Sequence, residues 1–146
     1  MNQSDIQRIL PHRYPFLLID RVTKFLPARR IEGIKTFTAN EAYGASHFFV
    51  VPCGILLEMI TQLGAILVLE RPEMKNKIAM ILQIPSAEMR APAGPGDTVR
   101  AVAEALKLRE TFGELEGKIY RGRDLIAEGR MRFAIANVAS IQNAFR

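Results

Sequence analysis

Apolar positions along the chain change their period more than once. From Cys53 to about Leu69 they recur at three and four residues, through Ile55, Leu56, Met59, Ile60, Leu63, Ile66 and Leu67, the spacing of an α-helix. Leu57, Ala65, Val68 and Leu69 fill most of the remaining positions. A helix apolar nearly all round is a buried one. Pro52 stands just before it, where a missing N–H costs no helical bond, and Pro72 marks its end. Nearer the N-terminus, Ser4 is a candidate cap for a short helix, DIQRIL, which Pro11 stops. PFLLIDRVTKFL then reads as a strand and IEGIKTFT (31–38) as a second, with a short helical turn starting at Asn40 and Glu41. After residue 76, KIAMILQI, AEMRAP, TVRAVAEALKLRE, GELEGKIYRG and DLIAEGRMRFAIANV read as strands. Turn chemistry separates them at Ala93–Asp97, Thr111–Gly113 and Arg121–Asp124. TVRAVAEALKLRE is rich in helix formers, but the proline-glycine turn before it and the strand-turn pair after it favour strand. The expected class is α+β, one long helix wrapped by a curved antiparallel sheet. A helix apolar on all sides needs further cover, most simply a second copy of the sheet. At least a dimer is therefore expected.

Composition narrows this reading without changing it. The 146 residues fit one domain over 1–146, and 49% apolar with 24% charged residues is the balance of a soluble globular protein. MNQSDIQRIL lacks a basic region followed by an apolar run, so no signal peptide is expected. Pro52, Glu58 and Gln62 interrupt the longest apolar stretch, so no membrane span is expected. The single cysteine, Cys53, cannot form an internal disulfide, which fits a reducing cytoplasm. Two histidines and one cysteine make a poor ligand set, so no metal and no cofactor is assigned. The net charge of +5 favours acidic partners. Its residues are scattered, as Arg29 and Arg30, Lys75 and Lys77, Arg121 and Arg123, Arg130 and Arg132. No aromatic residues run between them in a recognition motif, so nucleic acid is not expected. Solvated strand faces and an acidic protein partner both remain open as readings of these charges.

The chemistry concentrates in SHFFVVPCGILLEMITQ, residues 46–62, which places His47, Cys53 and Glu58 in the greasiest part of the chain. A lone histidine in a loop is commonly structural. A carboxyl in a buried helix is harder to dismiss, because an unpaired one is costly, so Glu58 needs a partner or a function. Gln62 lies four residues on, on the same helix face, where it can orient Glu58. Cys53 at a helix N-terminus is a candidate nucleophile, though small buried cysteines are the common case. His12, before Arg13-Tyr14-Pro15, reads as structural, bound to backbone or packed under the sheet. Asp97 reads as turn chemistry.

Several of these segments resemble a known family. LPHRYPFLLIDRV (10–22) is similar to the N-terminal signature of the FabZ-type β-hydroxyacyl-acyl carrier protein dehydratases. Asn40-Glu41, His47-Phe48, PCGILLEMITQ (52–62), Arg90-Ala91-Pro92 with Pro95-Gly96-Asp97, and AEGRMRFAIA (127–136) resemble that family's motifs in the same order. The resemblance implies a hotdog fold. Two departures stand out. Ser46 occupies the place of the glycine before the family's histidine, and the loop from His47 to Glu58 is three residues shorter than the family pattern. Cys53 also stands where the family has glycine, with Gly54 one step later.

Dehydrating a 3-hydroxyacyl thioester needs a base at C2, an acid for the leaving C3 hydroxyl and donors for the thioester oxygen. Histidine suits the base, and a carboxyl in an apolar pocket suits the acid. Backbone N–H groups at a helix N-terminus suit the oxygen. By resemblance, His47 of one subunit and Glu58 of its partner form each catalytic pair. Cys53, Gly54, Gln62, Phe48 and Phe49 are the expected substrate-binding residues. The implied partner is an acyl carrier protein bearing a 3-hydroxyacyl chain, and the implied assembly is a homodimer or a trimer of dimers. A hotdog thioesterase with Glu58 activating water, and a non-catalytic acyl-binding subunit, are the rival expectations.

Overall fold

The computed structural model describes residues 1–43 and 50–140. A short helix α1 (Gln3–Ile9) precedes the strand pair β1 (Arg21–Leu26) and β2 (Arg30–Thr36). The long helix α2 (Cys53–Leu69) follows, then β3 (Lys77–Met89), β4 (Thr98–Leu108), β5 (Phe112–Arg121) and β6 (Asp124–Asn137). All six strands form one antiparallel sheet in the order β1-β2-β4-β5-β6-β3. Helix α2 packs against five of them, β2 to β6. This is the hotdog fold, a sheet curled around its helix.

Alternation along the strands builds the core. In β5, Gly113, Leu115, Gly117 and Ile119 face the helix, and in β6 Met131, Phe133 and Ile135 do the same. Ile60, Leu63, Ile66 and Leu67 meet them from α2 and are fully or almost fully buried. Two glycines allow the close approach. A Cβ on Gly117 would collide with Ile60, and one on Gly64 would collide with Leu115. Helix and sheet therefore touch backbone to side chain at both points.

The outer face explains much of the scattered positive charge. Arg30 and Arg100 pair with Glu32, Arg30 also with Glu104, and Arg130 with Glu114 and Glu116. These are solvated strand faces, and opposite charges across neighbouring strands support the sheet.

Three local expectations are corrected. Helix α1 is capped by Asn2, not Ser4. Asn2 accepts from the Asp5 N–H and Asp5 accepts in return from the Asn2 N–H. The first strand begins at Arg21 rather than Pro15, because side chains and not a neighbouring strand hold part of the segment before it. Gln62 bonds the backbone at Phe16 and Leu18, and Gln3 bonds the carbonyls of Ile19 and Asp20. KIAMILQI and AEMRAP form one strand, β3, which runs straight through Pro85. Its place at the sheet edge and the register shifts between Ile81 and Ser86 accommodate a residue without an N–H.

Candidate active site

Helix α2 supplies a carboxylate and the polar side chains around it at helical spacing. Glu58, Thr61, Gln62 and Ala65 line a cavity of about 210 Å³. Ile81, Leu115 and Phe133 of the sheet form part of its apolar wall. A larger depression, about 740 Å³, lies between α1 and the end of α2, but it is wide open and remote from Glu58, so the smaller cavity is the better candidate.

Among the described residues, three side chains approach the Glu58 carboxylate. Gln62 Nε2 donates to Oε1 at 3.0 Å, Thr61 Oγ1 lies 2.7 Å from Oε2, and His12 Nε2 lies 3.4 Å from Oε1. Gln62 is buried, and its amide also bonds the backbone of the N-terminal segment. Nε2 donates to the Phe16 carbonyl at 2.8 Å, and Oε1 accepts the Leu18 N–H at 2.9 Å. Glu58 remains 23% exposed, enough for a ligand to reach it.

His12 is the residue that sequence reasoning left out of the site. It was expected on backbone or under the sheet, yet its ring faces the Glu58 carboxylate and lines the same cavity. Its Nδ1 is buried with no partner among the described residues. Nε2, the nitrogen nearer Glu58, stands 3.4 Å from Oε1, a longer approach than those of Gln62 and Thr61. The signal was available in part, as one of the chain's two histidines placed in the segment of strongest resemblance. The contact itself spans 46 positions and a turn at Tyr14 and Pro15, which no local pattern reveals.

The other expected residues are distributed unevenly. His47, Phe48 and Phe49 lie outside the described residues. Cys53 and Gly54 form the first turn of α2 and do not line the cavity with Glu58. Cys53 is a free, half-buried thiol. Pro52 is the N-cap, and among the described residues no side chain caps this end, so none of them occupies the first N–H groups. A Cβ on Gly54 would meet none of the described residues within 4 Å. Asp97 is a turn residue, accepting the Gly94 N–H at 2.9 Å.

Just before the undescribed segment, Lys35 is held by Glu41 at 2.9 Å and Asp20 at 3.5 Å, with Lys35 and Glu41 nearly buried. Burial and the neighbouring Glu41 push the Tyr43 phenol well above its ordinary value. Among the described residues, no group of three or more acidic, histidine or cysteine side chains is arranged to hold a metal ion.

One carboxylate, bonded by an amide and a hydroxyl and facing an imidazole, thus lies in a small, partly apolar cavity inside a hotdog fold. Comparison with known proteins is more specific. The family model for the FabA-like domain matches residues 10–130. The chain is 43% identical to the 3-hydroxyacyl-[acyl-carrier-protein] dehydratase FabZ of Desulforamulus reducens, over 89% of this chain and 94% of that one. It is 40% identical to the protein of the same name from Pelotomaculum thermopropionicum, over 90% and 96%. Among solved structures, the dehydratase heterocomplex ApeI:P from Xenorhabdus doucetiae contains a chain of the same fold, with TM-score 0.83, 17% identity and 97% coverage of both chains. The chain belongs to the FabA-like family and, within it, to the FabZ-type dehydratases.

Proposed function

We propose that this chain is a cofactor-free hydro-lyase of type II fatty acid biosynthesis. It removes water from (3R)-3-hydroxyacyl chains carried on acyl carrier protein and leaves the trans-2-enoyl thioester. The supporting observation is Glu58, one carboxylate held by Gln62, Thr61 and His12 at the polar end of an apolar cavity. In this reading His47 removes the C2 proton. Glu58 protonates the departing C3 hydroxyl as its C–O bond breaks, and the electron pair from C2 closes the double bond. The open N–H groups at Cys53 and Gly54 receive the thioester oxygen while negative charge builds there. Phe48 and Phe49 line the acyl path.

We place the work in the cytoplasm, in a single domain over 1–146 that acts as a homodimer, alone or as three dimers together. No described helix is long and apolar enough to cross a membrane. The exposed edge strand β3 supports the dimer. Ile81, Leu82 and Ile84 are 41%, 63% and 44% exposed there, beside backbone groups with no neighbouring strand. Pairing two such edges covers the apolar residues and the loose ladder together.

The test is absorbance of the conjugated enoyl product from a 3-hydroxyacyl thioester, with wild type, His47→Ala and Glu58→Gln. Product from wild type and loss in both folded variants supports the reading. Release of free acid instead identifies a thioesterase. Acyl binding without turnover identifies a binding subunit.

A further inference from the structure

The Gln62 amide settles where hydrogens lie around Glu58. The Leu18 N–H can only donate, so the Gln62 atom 2.9 Å from it is the amide oxygen. The amide nitrogen then gives one hydrogen to the Phe16 carbonyl and the other to Glu58 Oε1. A proton on Oε1 would meet the amide hydrogen already donated to that oxygen. In neutral Glu58, the proton therefore belongs on Oε2.

The neighbour of Oε2 is Thr61 Oγ1, at 2.7 Å. The same hydroxyl lies 2.9 Å from the backbone carbonyl of Glu58. A hydroxyl has one hydrogen and cannot donate to both oxygens at once. Both contacts are satisfied in turn. With Glu58 ionised, Thr61 donates to Oε2. With Glu58 neutral, Oε2–H donates to Thr61 Oγ1, and the threonine hydrogen turns to the carbonyl.

We propose that Thr61 is a positioning residue that holds the Glu58 proton on Oε2 before transfer and stabilises the carboxylate after it. The proposal rests on the dehydration reading of this site. Before transfer, the acid proton rests against Thr61. On transfer, the C3–O bond breaks with its electron pair on oxygen, the Oε2 proton passes to that oxygen, and water leaves. The threonine hydroxyl then rotates and donates to Oε2. No heavy atom needs to move, so the site is organised for both ends of the step.

The test compares Thr61→Val, which keeps the shape and removes the hydroxyl, with Thr61→Ser, which keeps the hydroxyl. Thr61→Val should lower kcat about tenfold with little change in KM, and Thr61→Ser should stay near wild type. Infrared difference spectroscopy of isotope-labelled Glu58 gives a second readout. Its carboxylate stretch should shift in Thr61→Val, because a donor to Oε2 is lost, and should hold in Thr61→Ser. Wild-type turnover in Thr61→Val, equal loss in Thr61→Ser, or an unmoved carboxylate stretch in Thr61→Val would each overturn the proposal. If the wild type makes no enoyl product, the dehydration reading fails by itself, and the carboxylate stretch still decides the Thr61 pairing.

Discussion

Glu32 lies on the outer face of the sheet and Glu58 on the helix packed against its inner face, and their side chains are 12% and 23% exposed. Their company differs. Glu32 on β2 sits among cations, with Arg30 at 3.0 Å, Arg100 at 3.2 Å and Lys24 at 4.0 Å. These groups only donate, so a proton added to Glu32 would find no acceptor among them. Glu58 has an amide, a hydroxyl and an imidazole, and the hydroxyl can accept as readily as it donates. Burial of a carboxylate alone thus says little about function. The kind of partner separates two carboxylates that burial alone would class together.

The same substitution breaks this comparison most sharply when placed at Glu58. Glu58→Gln keeps the shape and should reduce dehydration by about 10²- to 10⁴-fold, measured as enoyl product at saturating substrate, with the circular dichroism spectrum unchanged. Leu82→Lys asks whether Glu58 acts within one chain. It puts charge on the open β3 edge, and light scattering should report monomers with turnover largely lost. Gln62→Leu removes the link between the acid and the N-terminal segment. It leaves the Leu18 N–H and Phe16 carbonyl without their partner, and denaturant unfolding should show a loss of about 1–3 kcal/mol together with weakened turnover. Glu32→Gln should do least, with turnover unchanged and stability lower by about 1 kcal/mol or less in the same unfolding experiment.

Local patterns revealed much of this molecule. Helix α2 runs from Cys53 to Leu69 as its periodicity and the prolines at 52 and 72 indicate. The four strands after it follow from alternation and turn residues, apart from the join through Pro85. An edge position tolerates that proline, and position within a sheet is not written in any single segment. Glu58 and Gln62 were legible together because four residues bring side chains to one helix face. Thr61 was overlooked because a threonine in a buried helix needs no special explanation until its two oxygen neighbours are known. His12 and the irregular segment before Arg21 were hidden for a common reason. Their partners lie tens of residues away, and side chains rather than strand pairing hold them.

The bond from the Leu18 amide to Gln62 also makes the site observable from a distance. Leu18 is 1% exposed and its N–H is occupied by the same amide that bonds the Glu58 carboxylate. Its hydrogen can exchange with solvent only when that grip opens. One backbone amide, read in deuterated water, therefore times how often the active site comes undone.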